Sequence, residues 1–119
     1  MNEKGYHKLI AWKEAHLLTV MIYKISRQFP KEEIYGLTSQ LRRAAVSVTA
    51  NIVEGQARSS KKEFRQFLSI SNGSLVECEY YLELARELQY LNDEEYQKLE
   101  TQRAKTGYLV HALARFLHT

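Results

Sequence analysis

Apolar positions recur along this chain at helical spacing, and one segment carries two such stripes. Between Gly36 and Gly55, residues advance by about 100° each in a helix. Leu37, Leu41, Ala44, Ala45, Val48 and Ile52 then fall on one side, which is the expected core face. Ser39, Arg43, Val46, Ala50, Val53 and Ala57 fall on another, at 4-then-3 spacing. That second stripe is mostly small and apolar, which suits close approach of another helix. A helix in a four-helix bundle touches two neighbours, so a neighbour within the bundle is one way to cover it. Cover by a second copy of the chain is the expectation. Arg43, Val46, Ala50, Val53 and Ala57 are then interface residues. Ser47, Asn51, Glu54 and Arg58 run between the stripes, and Thr38, Arg42, Thr49 and Gln56 are expected to face water.

The same periodicity predicts four helices, over about 8–27, 35–57, 61–91 and 93–117. Ala11, Ala15, Leu18, Ile22 and Ile25 form the first core stripe, flanked by Trp12, His16, Thr19 and Tyr23. Pro30 ends that helix, because proline disfavours helix at the preceding residue. Ser59 or Ser60 is the expected N-cap of the third helix, and Glu63 three residues after Ser60 completes a capping box. Phe64, Leu68, Ser71, Leu75, Cys78, Leu82 and Ala85 mark its core face. Gly73 interrupts that helix at a cost of about 1 kcal/mol against alanine, and close packing against another helix is the expected reason. Asn92 and Asp93 cap the fourth helix, whose stripe is Tyr96, Leu99, Thr106, Val110, Leu113 and Leu117. Arg103 is expected at the edge of that stripe, extending its charged head outwards. Short loops make consecutive helices antiparallel neighbours. The expected architecture is a single all-α domain over 1–119, an up-down-up-down four-helix bundle.

Composition agrees with the helical reading. One proline and five glycines leave little punctuation for an all-β fold, and the commonest residues are strong helix formers. The lone cysteine, Cys78, can make no internal disulfide and sits at a core position. This suits a reducing, cytoplasmic setting. No apolar run is long enough to span a membrane, so no membrane association is expected.

Charge changes the picture more. Residues 1–75 carry 12 Lys/Arg against 6 Asp/Glu, and residues 76–119 carry 5 against 8, giving +3 in all. Arg42 stands beside Arg43, and Arg58, Lys61, Lys62 and Arg65 cluster at the turn between the second and third helices. If the subunit repeats in a closed ring, such a cluster becomes a belt of positive charge that can engage several phosphates.

Candidate catalytic chemistry is sparse. Helical bundles that hold two metal ions use Glu-x-x-His motifs, and none of His7, His16, His111 and His118 lies three residues after a carboxylate. There is no phosphate-cradling glycine loop, no G-x-S-x-G and no C-x-x-C. The chain is therefore read as a non-enzyme without metal or cofactor. Asn51, Glu54, Ser74 and Glu77 are polar groups set against packed faces. They are expected to form interhelical hydrogen bonds, or ion pairs with Arg43 or Arg58, that fix register.

The stretch FPKEEIYGLTSQLRRAAVSVTANIVEGQAR, Phe29–Arg58, closely resembles the signature of the four-helix bundle proteins, also called 23S rRNA intervening sequence or S23 ribosomal proteins. EFRQFLSISNGSLVECE, Glu63–Glu79, resembles their second signature, and AWKEAH, Ala11–His16, their opening helix. The resemblance implies a bacterial protein, some of whose relatives are encoded within insertions in 23S ribosomal RNA genes. It implies assembly as a ring, a pentamer above all, and no established enzymatic activity. A more distant relative, the accessory protein of diversity-generating retroelements, is a basic pentamer that binds nucleic acid and a reverse transcriptase. Where the family pattern often has proline, this chain has Thr49, which restores a backbone N–H.

Two function classes follow. The first is a non-catalytic, homo-oligomeric protein that binds nucleic acid, RNA or DNA with structured RNA such as rRNA favoured, with Arg42, Arg58, Lys61, Lys62 and Arg65 on phosphates. The second is a scaffold for a protein partner, recruiting through Glu79, Glu83, Glu87 and Glu100.

Overall fold

The chain folds as four long helices: α1 Ile10–Ile25, α2 Leu37–Gln56, α3 Lys61–Glu87 and α4 Asp93–Leu117. Three short 3-10 turns accompany them, at Gly5–Lys8, Ser26–Gln28 and Lys31–Glu33. The computed structural model describes residues 4–118, with no strand among them. α2 packs on α1 and α3, and α4 closes the bundle against the same two helices.

The predicted stripes meet along the axis. Leu18 and Ile22 of α1, Leu41, Val48 and Ile52 of α2, Leu68, Leu75 and Leu82 of α3, and Leu99 and Val110 of α4 are all buried. Burying a side chain of this size contributes about 1.5–3 kcal/mol. Polar groups in this core are satisfied: the Ser71 hydroxyl donates to Val48 O at 2.8 Å. Cys78 is fully buried, and burial pushes its thiol up to about 12, which leaves it inert at neutral pH.

The expected water-facing side of α2 is instead its contact with α1. Thr38 is buried. Thr49 Oγ1 lies 2.9 Å from Thr19 Oγ1, which is also 3.1 Å from Ala45 O. Arg42 Nε donates to Ser26 Oγ at 2.8 Å, and its guanidinium lies over the Tyr23 ring. These polar side chains look solvent-facing by type, but they satisfy one another across a helix pair.

α1 is two residues shorter at each end than the expected 8–27, and two further helix ends differ for reasons the structure shows. α3 stops at Glu87 rather than at 91. Gln89 takes a left-handed backbone, with φ at 63°. Its N–H bonds to Arg86 O and the N–H of Tyr90 bonds to Ala85 O, a Schellman closure. Glycine usually marks that position, so a glutamine there conceals the stop. Lys31–Glu33 form their own turn, and α2 starts only at Leu37, where Glu33 Oε1 accepts the Leu37 N–H at 3.1 Å. Ser60 is the N-cap of α3 and accepts from Glu63 N, but Glu63 takes the Ser60 hydroxyl at 3.2 Å rather than its backbone N–H, so the expected box is half made, whereas Asn92 with Glu95 makes a full one.

Two other expectations are corrected. Arg103 does not extend into solvent. Its side chain is 13% exposed and pairs with Glu100 at 2.6 Å and Glu79 at 3.3 Å, because a half-buried guanidinium needs carboxylates close by. Gly73 is not packed against a neighbouring helix: a Cβ built there would meet nothing within 4 Å. The close approach lies at Gly55, where a Cβ would stand 2.8 Å from Phe64 Cδ1 and 2.9 Å from Phe67 Cβ.

Candidate nucleic-acid interface

The end of α2, the turn after it and the start of α3 place Arg58, Lys61, Lys62 and Arg65 at one end of the bundle. Gly55 lets α2 and α3 converge there. Arg58 bonds Glu54 Oε2 at 3.0 Å, and its guanidinium lies 4.8 Å from the centre of the Phe67 ring. Arg65 Nη1 donates to Leu117 O at 2.8 Å, which satisfies an orphan carbonyl at the end of α4. Lys61 and Lys62 are exposed in the first turn of α3. Cations there oppose the helix dipole by about 0.3–1 kcal/mol each. They do not serve stability, which makes them the most informative residues of the group.

Arg42 is not brought to this cluster. Sixteen residues along α2 separate it from Arg58, about 24 Å at 1.5 Å per residue. It is tied to the end of α1 through Ser26 and the Tyr23 carbonyl.

Several groups at the basic end were not singled out by sequence. His111, Arg115 and His118 of α4 join Arg65 around a cleft of about 430 Å³. Their spacing of four and then three residues was the available signal. The turn Gly5–Lys8 reaches the same end, since a Cβ on Gly5 would meet Gln56 Nε2 at 2.6 Å. It carries Tyr6 and His7 onto Trp12, with ring centres 5.2 and 4.9 Å away, and Trp12 stacks on His16 at 5.0 Å and 8°.

The second stripe of α2 lies on the outside. Arg43, Ala50 and Ala57 are exposed, Val46 is 43% exposed, and Val53 is half-buried. The adjacent outer face of α3 adds Ile70, Val76 and Tyr80, exposed by 53, 55 and 58%. Arg43 lines a notch of about 340 Å³ with Gln40, Ala44, Ser47 and Glu77. Of the four polar residues expected to fix register, only Ser74 bonds across helices among the described residues, its hydroxyl 2.8 Å from Ser47 Oγ. Asn51 donates to Ser47 O and Glu77 accepts from Tyr81, each within its own helix, while Glu54 makes one of the expected ion pairs, with Arg58 just past the end of α2. On a helix surface, partners three or four residues away are nearer than any on the next helix.

Among the described residues, no group of three or more His, Cys, Asp and Glu could hold a metal ion, and no helix is long and apolar enough to cross a membrane. Glu79 and Glu100, expected to recruit a protein, are turned onto Arg103.

Comparison with known proteins agrees with this architecture. No curated protein matches the chain in sequence. A crystal structure of a protein of unknown function from the S23 ribosomal protein family of Bacteroides thetaiotaomicron superposes with a TM-score of 0.82 at 22% identity. The match covers 88% of this chain and 98% of that one, and at this identity it speaks for the fold. The profile of the 23S rRNA-intervening sequence proteins matches residues 7–112, so the chain belongs to the 23S rRNA-intervening sequence protein family.

Proposed function

We propose that this protein is a non-catalytic, cytoplasmic, nucleic-acid-binding bundle that engages structured RNA through its basic end. The observation that carries the reading is the pair Lys61 and Lys62. They sit at a helix N-terminus where they oppose the dipole, beside Arg58 and Arg65, in a turn that nothing in the packing requires to be basic. The family name supports RNA, and rRNA in particular, as the ligand. The involvement of Glu79 and Glu100 with Arg103 weighs against a purely protein-recruiting role.

Self-association is part of the same reading. The helices run antiparallel, up-down-up-down, and the outer faces of α2 and α3 join copies into a ring, a pentamer above all. Val46, Ala50 and Val53 with Ile70 and Tyr80 form its apolar contact. The exposed apolar side chains on these two adjacent helices support this. A ring repeats the basic end once per copy and multiplies the phosphates engaged.

Fluorescence anisotropy of the purified protein with a labelled structured RNA and with duplex DNA, across a salt series, tests the binding. Affinity for RNA should fall steeply with salt, with a slope of about −0.7 to −0.9 per phosphate neutralised. Absence of binding to either ligand at low salt overturns the reading. Light scattering tests the assembly: the mass should be a multiple of 13.9 kDa, and Val46→Glu should lower it.

A further inference from the structure

We infer that the cleft between the start of α3 and the end of α4 is a phosphate-binding site. It deepens the reading above and rests on it for the source of the phosphate, a nucleic-acid backbone.

Its lining is Arg65 from α3 and His111, Ala114, Arg115 and His118 from α4. Arg65, His111, Arg115 and His118 surround one alanine, and among the described residues no carboxylate lines the cleft. A guanidinium presents five donors in a planar fork matched to phosphate oxygens. Arg65 spends one of its terminal nitrogens on Leu117 O at 2.8 Å. That bond anchors the fork at the mouth of the cleft and leaves further donors uncommitted. Arg115 forms no ion pair among the described residues.

Helix stability accounts for only part of this set. A cation in the last turn of α4 favours its dipole, which explains Arg115. It does not explain His111, two turns from the helix end, where the dipole effect has faded. Arg65, from α3, closes the same helix end by capping Leu117 O, and its fork has donors to spare. Two arginines lining one cleft, with no carboxylate among its described residues, repel each other until an anion enters. Where this protein needs a half-buried arginine for structure, at Arg103, it supplies Glu79 and Glu100. In the cleft it supplies neither.

The location decides the chemical class. Lys61 and Lys62 stand on the same helix end as Arg65, so the cleft continues the exposed basic surface into a recess. The lysines act as point charges on passing phosphates, whereas the recess fixes one phosphate through paired donors. A free phosphate ion shares this chemistry, and the test separates the two sources.

The full-length chain, labelled with ¹⁵N, is titrated with inorganic phosphate and, separately, with a structured RNA hairpin. The readout is the imidazole resonances of His111 and His118, assigned with His111→Gln and His118→Gln. Both ligands should move them. Arg115→Gln, at an exposed position, should weaken RNA binding about fivefold and reduce the salt slope by about one phosphate. RNA that binds wild type and Arg115→Gln equally, with the imidazoles unmoved, overturns the cleft and leaves the nucleic-acid reading standing. Imidazoles that respond to phosphate while RNA binds nowhere keep the phosphate site and remove the nucleic-acid reading. Silence toward both ligands overturns both.

Discussion

The two ends of this bundle treat their polar side chains in opposite ways. At the end where α1 finishes and α4 begins, several polar groups bond one another, although Lys24, Arg27, Lys31 and Lys98 form no ion pair there among the described residues. Arg42 bonds Ser26 and the Tyr23 carbonyl. Glu33 accepts from Leu37 N and from Tyr90 OH, and Gln28 donates to Tyr90 O and Glu95. Arg86 lies 3.9 Å from the centre of the Tyr96 ring. The groove on that end is floored by Met21, Ile25 and Leu99. At the opposite end, Lys61, Lys62 and Arg115 form no ion pair among the described residues, and two arginines and two histidines line the cleft. One end uses its charge to close the fold. The other leaves charge available to something outside it. The adjacent arginines 42 and 43 teach the same lesson on a smaller scale, since one is bonded inward and the other faces solvent.

The contrast can be broken most forcefully at Gly55. Its missing Cβ is what lets α2 meet Phe64 and Phe67. Gly55→Leu should cost about 3 kcal/mol through overpacking, read as a lower urea midpoint, and should splay the basic end. A midpoint equal to wild type would show that the convergence there is not tight. Next in size, Lys61→Glu with Lys62→Glu should weaken RNA binding about thirtyfold, equivalent to about 2 kcal/mol, with thermal stability unchanged or slightly raised. The matched reversal of Lys24 and Lys98 at the other end should leave affinity within about twofold. Arg42→Ala should do the reverse: lose about 1–2 kcal/mol of stability with its hydrogen bonds, and leave RNA affinity alone. Equal affinity losses from the Lys61/Lys62 pair and from Arg42 would abolish the distinction between the ends.

Smaller effects sharpen it. Gln89→Gly should gain about 0.5–1 kcal/mol by relieving the left-handed glutamine that ends α3, measured by thermal unfolding. Acid should weaken the self-satisfied end. The Leu37 N–H and then the Tyr90 hydroxyl hold the Glu33 carboxyl below its usual value of 4.5. A lowered native pKa means the contribution is whole above 4.5 and is lost as pH falls below it. The stability gap between wild type and Glu33→Gln should therefore narrow in urea titrations run downward from pH 4.5. A gap that is constant with pH would mean the carboxylate charge is irrelevant there.

Much of this molecule was legible because helical periodicity is a strong signal. Leu41, Val48 and Ile52, or Leu68, Leu75 and Leu82, announce their burial by spacing alone. The end of α3 did not, because glutamine occupies a position that glycine usually marks. Thr49 and Arg42 misled for a different reason. Their residue types suggest solvent, yet they bond Thr19 and Ser26, residues 30 and 16 positions away. The candidate site was half legible. Arg58, Lys61, Lys62 and Arg65 are consecutive enough to be seen as a group. His111, Arg115 and His118 join them only after the fold brings the end of α4 beside the start of α3, a neighbourhood that spacing within one helix does not reveal.

The stacking of Trp12 has a practical consequence. It is the chain's one tryptophan, and it sits where the Gly5–Lys8 turn folds back on α1, sandwiched among Tyr6, His7 and His16. An indole's emission follows its immediate surroundings, so this single chromophore is a native gauge of the docking of that turn. Loosening of the chain's beginning, or arrival of a ligand at the neighbouring basic end, should register as a change in ultraviolet fluorescence, with no dye attached and no residue replaced.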